Sequence, residues 1–413
     1  MWRALYTAAL YAALPLALAR LWWRGRGEPG YRRRIGERFG RYKETSERPV
    51  LWLHAVSVGE ARGSAALARA LAGAHPEYAI LVTCTTAAGR EALKEIHGES
   101  VRVAWLPYDT PAAVRRFLEH FRPRLALLME TELWPNLVAA CRGYGVPVVL
   151  ANARLSEKSA RGYGRLSGLA RPAFAALAAA CAQSEEDAAR LRALGARRVE
   201  VLGNLKFDSA PDEAKRAAGR AWRESLARPV LLLASTREGE EAMLLDALPQ
   251  WDGKLLIVVV PRHPRRFEEV ALLADSRRTR NAMPKKEEKI HLGDTMGEMD
   301  FYYAACDVAV IGGSFAPLGG QNLIEACAAG VPAVLGPSMF NFAEATRLAL
   351  EAGAAVQAPD ARSAIREALL LLSDENKRIA MGEAGKKLCA AHRGATQRHL
   401  TLCNEILTAR ARG

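Results

Sequence analysis

From residue 50 onward, short uncharged runs alternate with longer stretches in which apolar side chains recur every three or four positions. The runs at 50–56, 79–86, 101–107, 124–130 and 146–152 are apolar with little alternation, the pattern of strands buried on both faces. Intervening stretches such as 111–121 carry helical spacing. Two more strand-like runs follow at 177–183 and 198–204, and a charged, Ala-rich stretch at 211–228 predicts a connecting helix. The alternation restarts at 229–236 and continues through 254–264, 306–314 and 331–337, with helical segments from residue 361 to the end. Two such series predict an α/β chain of two doubly wound domains facing a cleft, with the strand C-terminal ends at that cleft. The expected division is a leading segment 1–48, a first domain 49–210, a linker helix 211–228 and a second domain 229–413.

The leading segment is of a different kind. Residues 4–19 carry no charge, and from Arg20 to Lys43 there are nine Lys or Arg against two Glu. A soluble core helix of this length is possible, but an apolar stretch followed by dense positive charge opposes export and favours a membrane-anchor helix, with Trp22 and Trp23 at headgroup level and the basic segment facing an anionic leaflet. Pro15 and the short length leave open whether the anchor spans the bilayer or lies in its interface. This segment also accounts for much of the net charge of +13 on the 413 residues. The charge alone would suit nucleic acid, but no basic–aromatic platform or recognised motif supports that partner. Seven scattered cysteines without a CxxC pair predict reduced core thiols and neither a disulfide frame nor a zinc site.

Candidate chemistry falls at the predicted strand ends. In HAVSVGE the first strand gives way to a helix at Ser57, Gly59 and Glu60. Ser57 can cap the helix, and the positive end of the helix dipole favours an ionised Glu60. Glu60 is then either a capping carboxylate or a general base, and the turn itself does not choose. METELWPN places Glu130, Glu132, Trp134 and Asn136 at a later strand end, as a paired acid/base, part of a metal site, or ordinary helix-start acids. The loop opened by Asn152, Arg154, Ser156 and Lys158 suits an anionic ligand or a plain polar connection.

In the second half, PRHPRRF clusters Arg262, His263, Arg265 and Arg266 after an apolar strand, a fit for phosphate or plain solvated charges at a helix start. The stretch VAVIGGSFAPLGGQNLIEA ends a strand in Gly312–Gly313 and is expected to open a helix at Gly319–Gly320, a backbone phosphate site with Asn322 and Glu325 near sugar hydroxyls. It is neither the dinucleotide fingerprint nor a P-loop, and the literal GxGxxG at residues 25–30 follows no strand. One nucleotide in the second domain is the expectation.

Taken together, HAVSVGE, LPYDTP, METELWPN, ANARLS, GNLKFD, PRHPRRF, GDTMGE, GGSFAPLGGQNLIEA and GPSMFNF resemble, in order and across nearly the whole chain, the bacterial 3-deoxy-D-manno-octulosonic acid (Kdo) transferases of lipopolysaccharide synthesis. The resemblance implies a GT-B glycosyltransferase of two Rossmann-like domains that moves Kdo from CMP-Kdo to the lipid A precursor at the cytoplasmic face of the inner membrane. It implies Glu60 as the proton acceptor. It also implies CMP contacts at Pro261 and Arg262, at Met296, Gly297 and Glu298, and at Asn322, Leu323, Ile324 and Glu325, with no cofactor or bound metal. Leu323 stands where the family often has proline. Two other readings fit the architecture: a membrane-associated GT-B enzyme using a different nucleotide sugar, and a non-catalytic nucleotide-binding membrane protein.

Overall fold

The computed structural model describes residues 1–43, 47–249, 254–280 and 283–412. Residues 44–46, in the expected juxtamembrane segment, and 250–253, 281–282 and 413, in the expected second domain, lie outside the described residues. The described residues form two parallel sheets of seven strands. The first contains β1 (Val50–His54), β2 (Ala79–Cys84), β3 (Arg102–Trp105), β4 (Pro123–Met129), β5 (Val148–Ala153), β6 (Ala179–Ala182) and β7 (Val199–Val201). The second contains β8 (Val230–Thr236), β9 (Leu256–Pro261), β10 (Ser276–Arg277), β11 (Ile290–Leu292), β12 (Val308–Ile311), β13 (Ala333–Leu335) and β14 (Ala355–Gln357). β10, β11 and β14 run only two or three residues, too short to show a pattern against their polar surroundings.

In the first sheet the order is β3-β2-β1-β4-β5-β6-β7. The side chains of β1 divide by parity. Leu51 and Leu53 join one buried cluster with the Val58–Ala74 helix, while Val50 and Trp52 join the cluster on the opposite face, where Trp52 meets Phe117 edge-on at 4.6 Å. His54 is also buried; Thr83 hydrogen-bonds its Nδ1, and burial pushes its pKa down to about 4. The strand order reverses direction between β1 and β4, so the crevice at their C-terminal ends is the switch point where ligands bind in such sheets. In the second sheet, ordered β10-β11-β9-β8-β12-β13-β14, the equivalent point lies between β8 and β12.

The chain divides into units that differ from the expected domains. Met1–Ser209 with Arg393–Gly413 forms one unit, and Ala210–His392 the other. The Ala395–Arg412 helix belongs to the first because Ala395, Leu400, Leu402 and Cys403 complete its core, and Asp208 accepts hydrogen bonds from the Gly394 and Thr396 amides. The expected linker helix is Glu213–Ser225, packed within the second unit; Trp222 meets Phe301 at 5.7 Å, and Gly219 lies against the Phe301 carbonyl. All seven cysteines are buried and free, as the lack of CxxC spacing led us to expect.

The basic segment is partly structural. Glu37 accepts from the Trp105 backbone amide and pairs with Arg90 at 3.0 Å, and Arg38, buried, lies 4.0 Å over the Trp105 ring. Arg32 stacks at 3.9 Å on Trp22. These charges organise the polypeptide around β3, while Arg20, Arg24, Arg26, Arg33, Arg34, Arg41 and Lys43 remain exposed.

Candidate active site

Glu60 is the third residue of the Val58–Ala74 helix, which begins after the three residues Ala55–Ser57 that leave β1. Ser57 caps this helix: its hydroxyl accepts from the Glu60 amide at 3.3 Å and donates to Glu60 Oε1 at 3.0 Å. The other carboxylate oxygen accepts from the Val56 amide at 2.9 Å. This is a capping box whose reach extends one residue further back than usual. Burial raises the Glu60 pKa to about 7, Glu130 and Glu132 add to the rise, and the Val56 and Ser57 hydrogen bonds oppose it.

Glu130 stands at the end of β4, across the switch point. It has φ +57°, a left-handed conformation that costs a non-glycine residue about 1–3 kcal/mol and is retained where the surroundings demand it. Asn152 in β5 and Ser235 in β8 are also left-handed, so three of the five such non-glycine residues among the described ones lie toward strand C-terminal ends, Arg34 and Arg122 being the others. Burial works to raise the Glu130 pKa, but Lys206 at 2.9 Å and Arg154 at 3.8 Å outweigh it and hold the carboxylate ionised. Burial raises the Glu132 carboxyl, and Glu130 adds to the effect. Lys206, within the GNLKFD motif, is a residue whose role the sequence did not single out; its partner Glu130 lies 76 positions away, and only the fold joins them.

Other first-unit candidates serve the framework. Asn136 is buried, and its amide nitrogen donates to the Asp109 carbonyl. Asn152 accepts from the Leu205 amide and so anchors the Lys206 loop. Ser156 caps the Glu157–Arg165 helix, and Lys158 is exposed.

In the second unit the candidate groups fall along one sheet edge. Pro261 closes β9, and Arg262 follows it, its Nε donating to Gln321 Oε1 at 3.2 Å. Met296, Gly297 and Glu298 follow β11; Glu298 pairs with Arg278 at 3.3 Å. Burial lowers the His263 pKa, as do Arg237, Arg262 and Arg265. Arg265 is exposed and pairs with Glu238.

Two expectations need correction. Arg266 is buried against Glu241 at 2.5 Å, and Thr236 donates to the same Glu241 oxygen, so this arginine is a tie between β8 and the β9 loop and not a phosphate ligand. The glycine stretch does not open a helix at Gly319–Gly320, which both have positive φ; the helix begins at Ile324. Several of its amides are also occupied. Those of Gly313 and Phe315 donate to the buried Glu240 carboxylate at 2.6 and 3.0 Å, that of Gly319 to Ser338, and that of Gly320 to the Gly313 carbonyl. Glu240, absent from the sequence-based candidates, therefore takes two of the amides expected for phosphate. Gly312 is required for a different reason, since a Cβ there would collide with the backbone of Ser235–Thr236. Asn322 caps the Ile324 amide and donates to Glu325 at 2.9 Å, while Leu323 and Ile324 are buried and can offer a ligand only backbone groups.

Residues 33–209 match the family model described as 3-deoxy-D-manno-octulosonic-acid transferase (kdotransferase), and residues 276–388 that of glycosyl transferases group 1. The chain is 46% identical to the 3-deoxy-D-manno-octulosonic acid transferase of Bordetella pertussis, covering 98% of this chain and 100% of that one. It is 35% identical to the enzyme of the same name from Haemophilus influenzae, covering 98% and 99%. Its fold is that of the Anabaena HepE protein solved with UDP, with a TM-score of 0.61 at 15% identity over 87% of this chain and 100% of that one. The two parallel α/β sheets are thus a GT-B arrangement, and the chain is a glycosyltransferase belonging to the 3-deoxy-D-manno-octulosonic acid transferase family.

Proposed function

We propose that the protein transfers Kdo from CMP-Kdo to the lipid A precursor lipid IVA in lipopolysaccharide core biosynthesis, with inversion, at the cytoplasmic face of the inner membrane. The observation that carries the mechanism is the position of Glu60: a half-buried carboxylate at the switch point, beside Glu130, with its pKa lifted to about 7. A group of that pKa is ionised in a large fraction of molecules at neutral pH and still basic enough to take a proton. Its two protein hydrogen bonds leave carboxylate lone pairs for the acceptor hydroxyl. The hydroxyl oxygen attacks the anomeric carbon of Kdo as its proton passes to Glu60, and CMP leaves with the bonding electron pair.

CMP is held in the second unit by Pro261 and Arg262, by Met296, Gly297 and Glu298, and by Asn322, Leu323, Ile324 and Glu325, with no cofactor in the scheme. Because Glu240 takes the Gly313 and Phe315 amides, the phosphate charge is met chiefly by side chains, Arg262 foremost. The apolar Trp2–Gly27 helix and the exposed arginines after it support association with an anionic inner-membrane surface, where a phosphorylated, acylated acceptor resides.

The test is mass analysis of products after incubation with CMP-Kdo and tetraacylated lipid A precursor. A lipid heavier by whole Kdo units, with CMP released, is the expected result. An unchanged lipid from folded protein that is thermally protected by UDP and not by CMP would refute the donor assignment.

A further inference from the structure

We infer that the Trp2–Gly27 helix lies flat in the membrane interface, pinned along its length to the first unit, and does not cross the bilayer. The inference rests on the membrane association proposed above. At 26 residues and ~1.5 Å per residue the helix is about 39 Å long, sufficient to span. Its contacts oppose spanning. Near the N-terminus, the Tyr6 hydroxyl donates to Asp109 at 3.0 Å, Asn136 Nδ2 donates to the Thr7 hydroxyl at 2.9 Å, and Trp2 covers Gly168. Near the C-terminus, Leu21 is buried in the main core beside Tyr31, which stacks on Trp105 at 6.3 Å, and Arg32 donates to the Trp22 carbonyl at 2.7 Å. A spanning helix would set these two groups of contacts on opposite sides of the hydrocarbon, whereas one folded unit holds both.

Exposure along the helix follows the 3.6-residue period. Tyr6, Thr7, Leu10, Leu14, Ala17, Leu18, Leu21 and Gly25 share the covered side. Leu5, Ala9, Ala12, Leu16 and Trp23 form the opposite stripe, with Leu16 74% and Trp23 70% exposed. The helix is apolar all round because one face packs on protein and the other is left for acyl chains. The exposed cations Arg20, Arg24 and Arg26 at one end identify the occupant of that stripe as an anionic lipid surface.

The test uses the full chain bound to vesicles of phosphatidylethanolamine and phosphatidylglycerol, with Thr7→Cys and Asn136→Cys introduced together. Copper phenanthroline should link these two cysteines in the sedimented protein, as identified by peptide mass analysis; a pair that stays reduced in the pellet overturns the flat placement. Should the double variant melt far below the parent, benzoylphenylalanine in place of Trp2 serves instead. Photo-adducts on Ser167–Ala175 support the inference, and adducts to lipid alone overturn it. A chain that stays in the supernatant of both anionic and neutral vesicles refutes membrane association itself, an outcome distinct from either.

Discussion

Ser57 and Glu60 hydrogen-bond reciprocally, the hydroxyl accepting from the Glu60 amide and donating to its carboxylate. The residue that closes the helix cap is therefore the same one proposed to accept the proton. The bonds that begin the helix also orient the carboxylate.

Glu60→Gln keeps an oxygen acceptor and suits the capping position, so the fold should persist while kcat falls by ~10²–10⁴, the usual contribution of a general base. Glu60→Ala should add a stability loss of about 0.3–1.5 kcal/mol from the lost carboxylate half of the capping box. Steady-state kinetics with thermal melting of both variants separates the two effects, and normal turnover by Glu60→Gln would refute the base assignment.

The rate should rise with pH through an inflection near 7, the pKa to which burial and Glu130 lift Glu60. Glu130→Gln removes a negative charge that raises this pKa, so the inflection should move to lower pH. An inflection that stays in place would mean that the rate reports another group.

Because the folded-state pKa of Glu60 lies above its unfolded value, the stability linked to this proton is full below about pH 4.5 and lost as pH rises through about 7. Glutamine carries no such ionisation. The melting temperature of Glu60→Gln relative to the parent should therefore be higher at pH 8 than at pH 4.5. A difference that is flat with pH would contradict the burial cost.

Glu240 accepts three backbone N–H groups, those of Arg237, Gly313 and Phe315, and is fully buried. Glu240→Ala leaves these donors unsatisfied at ~1–3 kcal/mol each before relaxation. The glycine loop should loosen, with KM for the donor rising more than kcat falls. An unchanged KM in the folded variant would show that the loop does not shape the donor site.

Arg266→Ala strands the buried Glu241 charge and should cost about 3–5 kcal/mol. Arg266→Met combined with Glu241→Gln removes both charges and should recover much of that loss. Chemical denaturation of the single and double variants gives the comparison.

Strand runs were legible because parallel strands covered on both faces must be continuously apolar, as in 50–56 and 229–236. The Pro111–Phe121 helix matches its expected limits because Pro111 starts it and its spacing is regular. Charged loops were less legible, since an arginine after a strand reads the same whether it meets a phosphate or a glutamate. Arg266 and Arg262 are four residues apart in one motif, yet the first is buried on Glu241 and the second half-buried beside Gln321.

By itself, then, the sequence determined the α/β class, the placement of Glu60 at a strand-to-helix turn, the apolar leading helix and the free cysteines, because each follows from local periodicity or composition. Tertiary structure decided the rest. It joined Glu130 to Lys206, placed Glu240 in the glycine loop, returned the last helix to the first unit, and pinned both ends of the leading helix to one body. Those outcomes depend on which residues a fold brings together from distant positions, and on the free-energy cost of leaving a buried charge or amide without a partner.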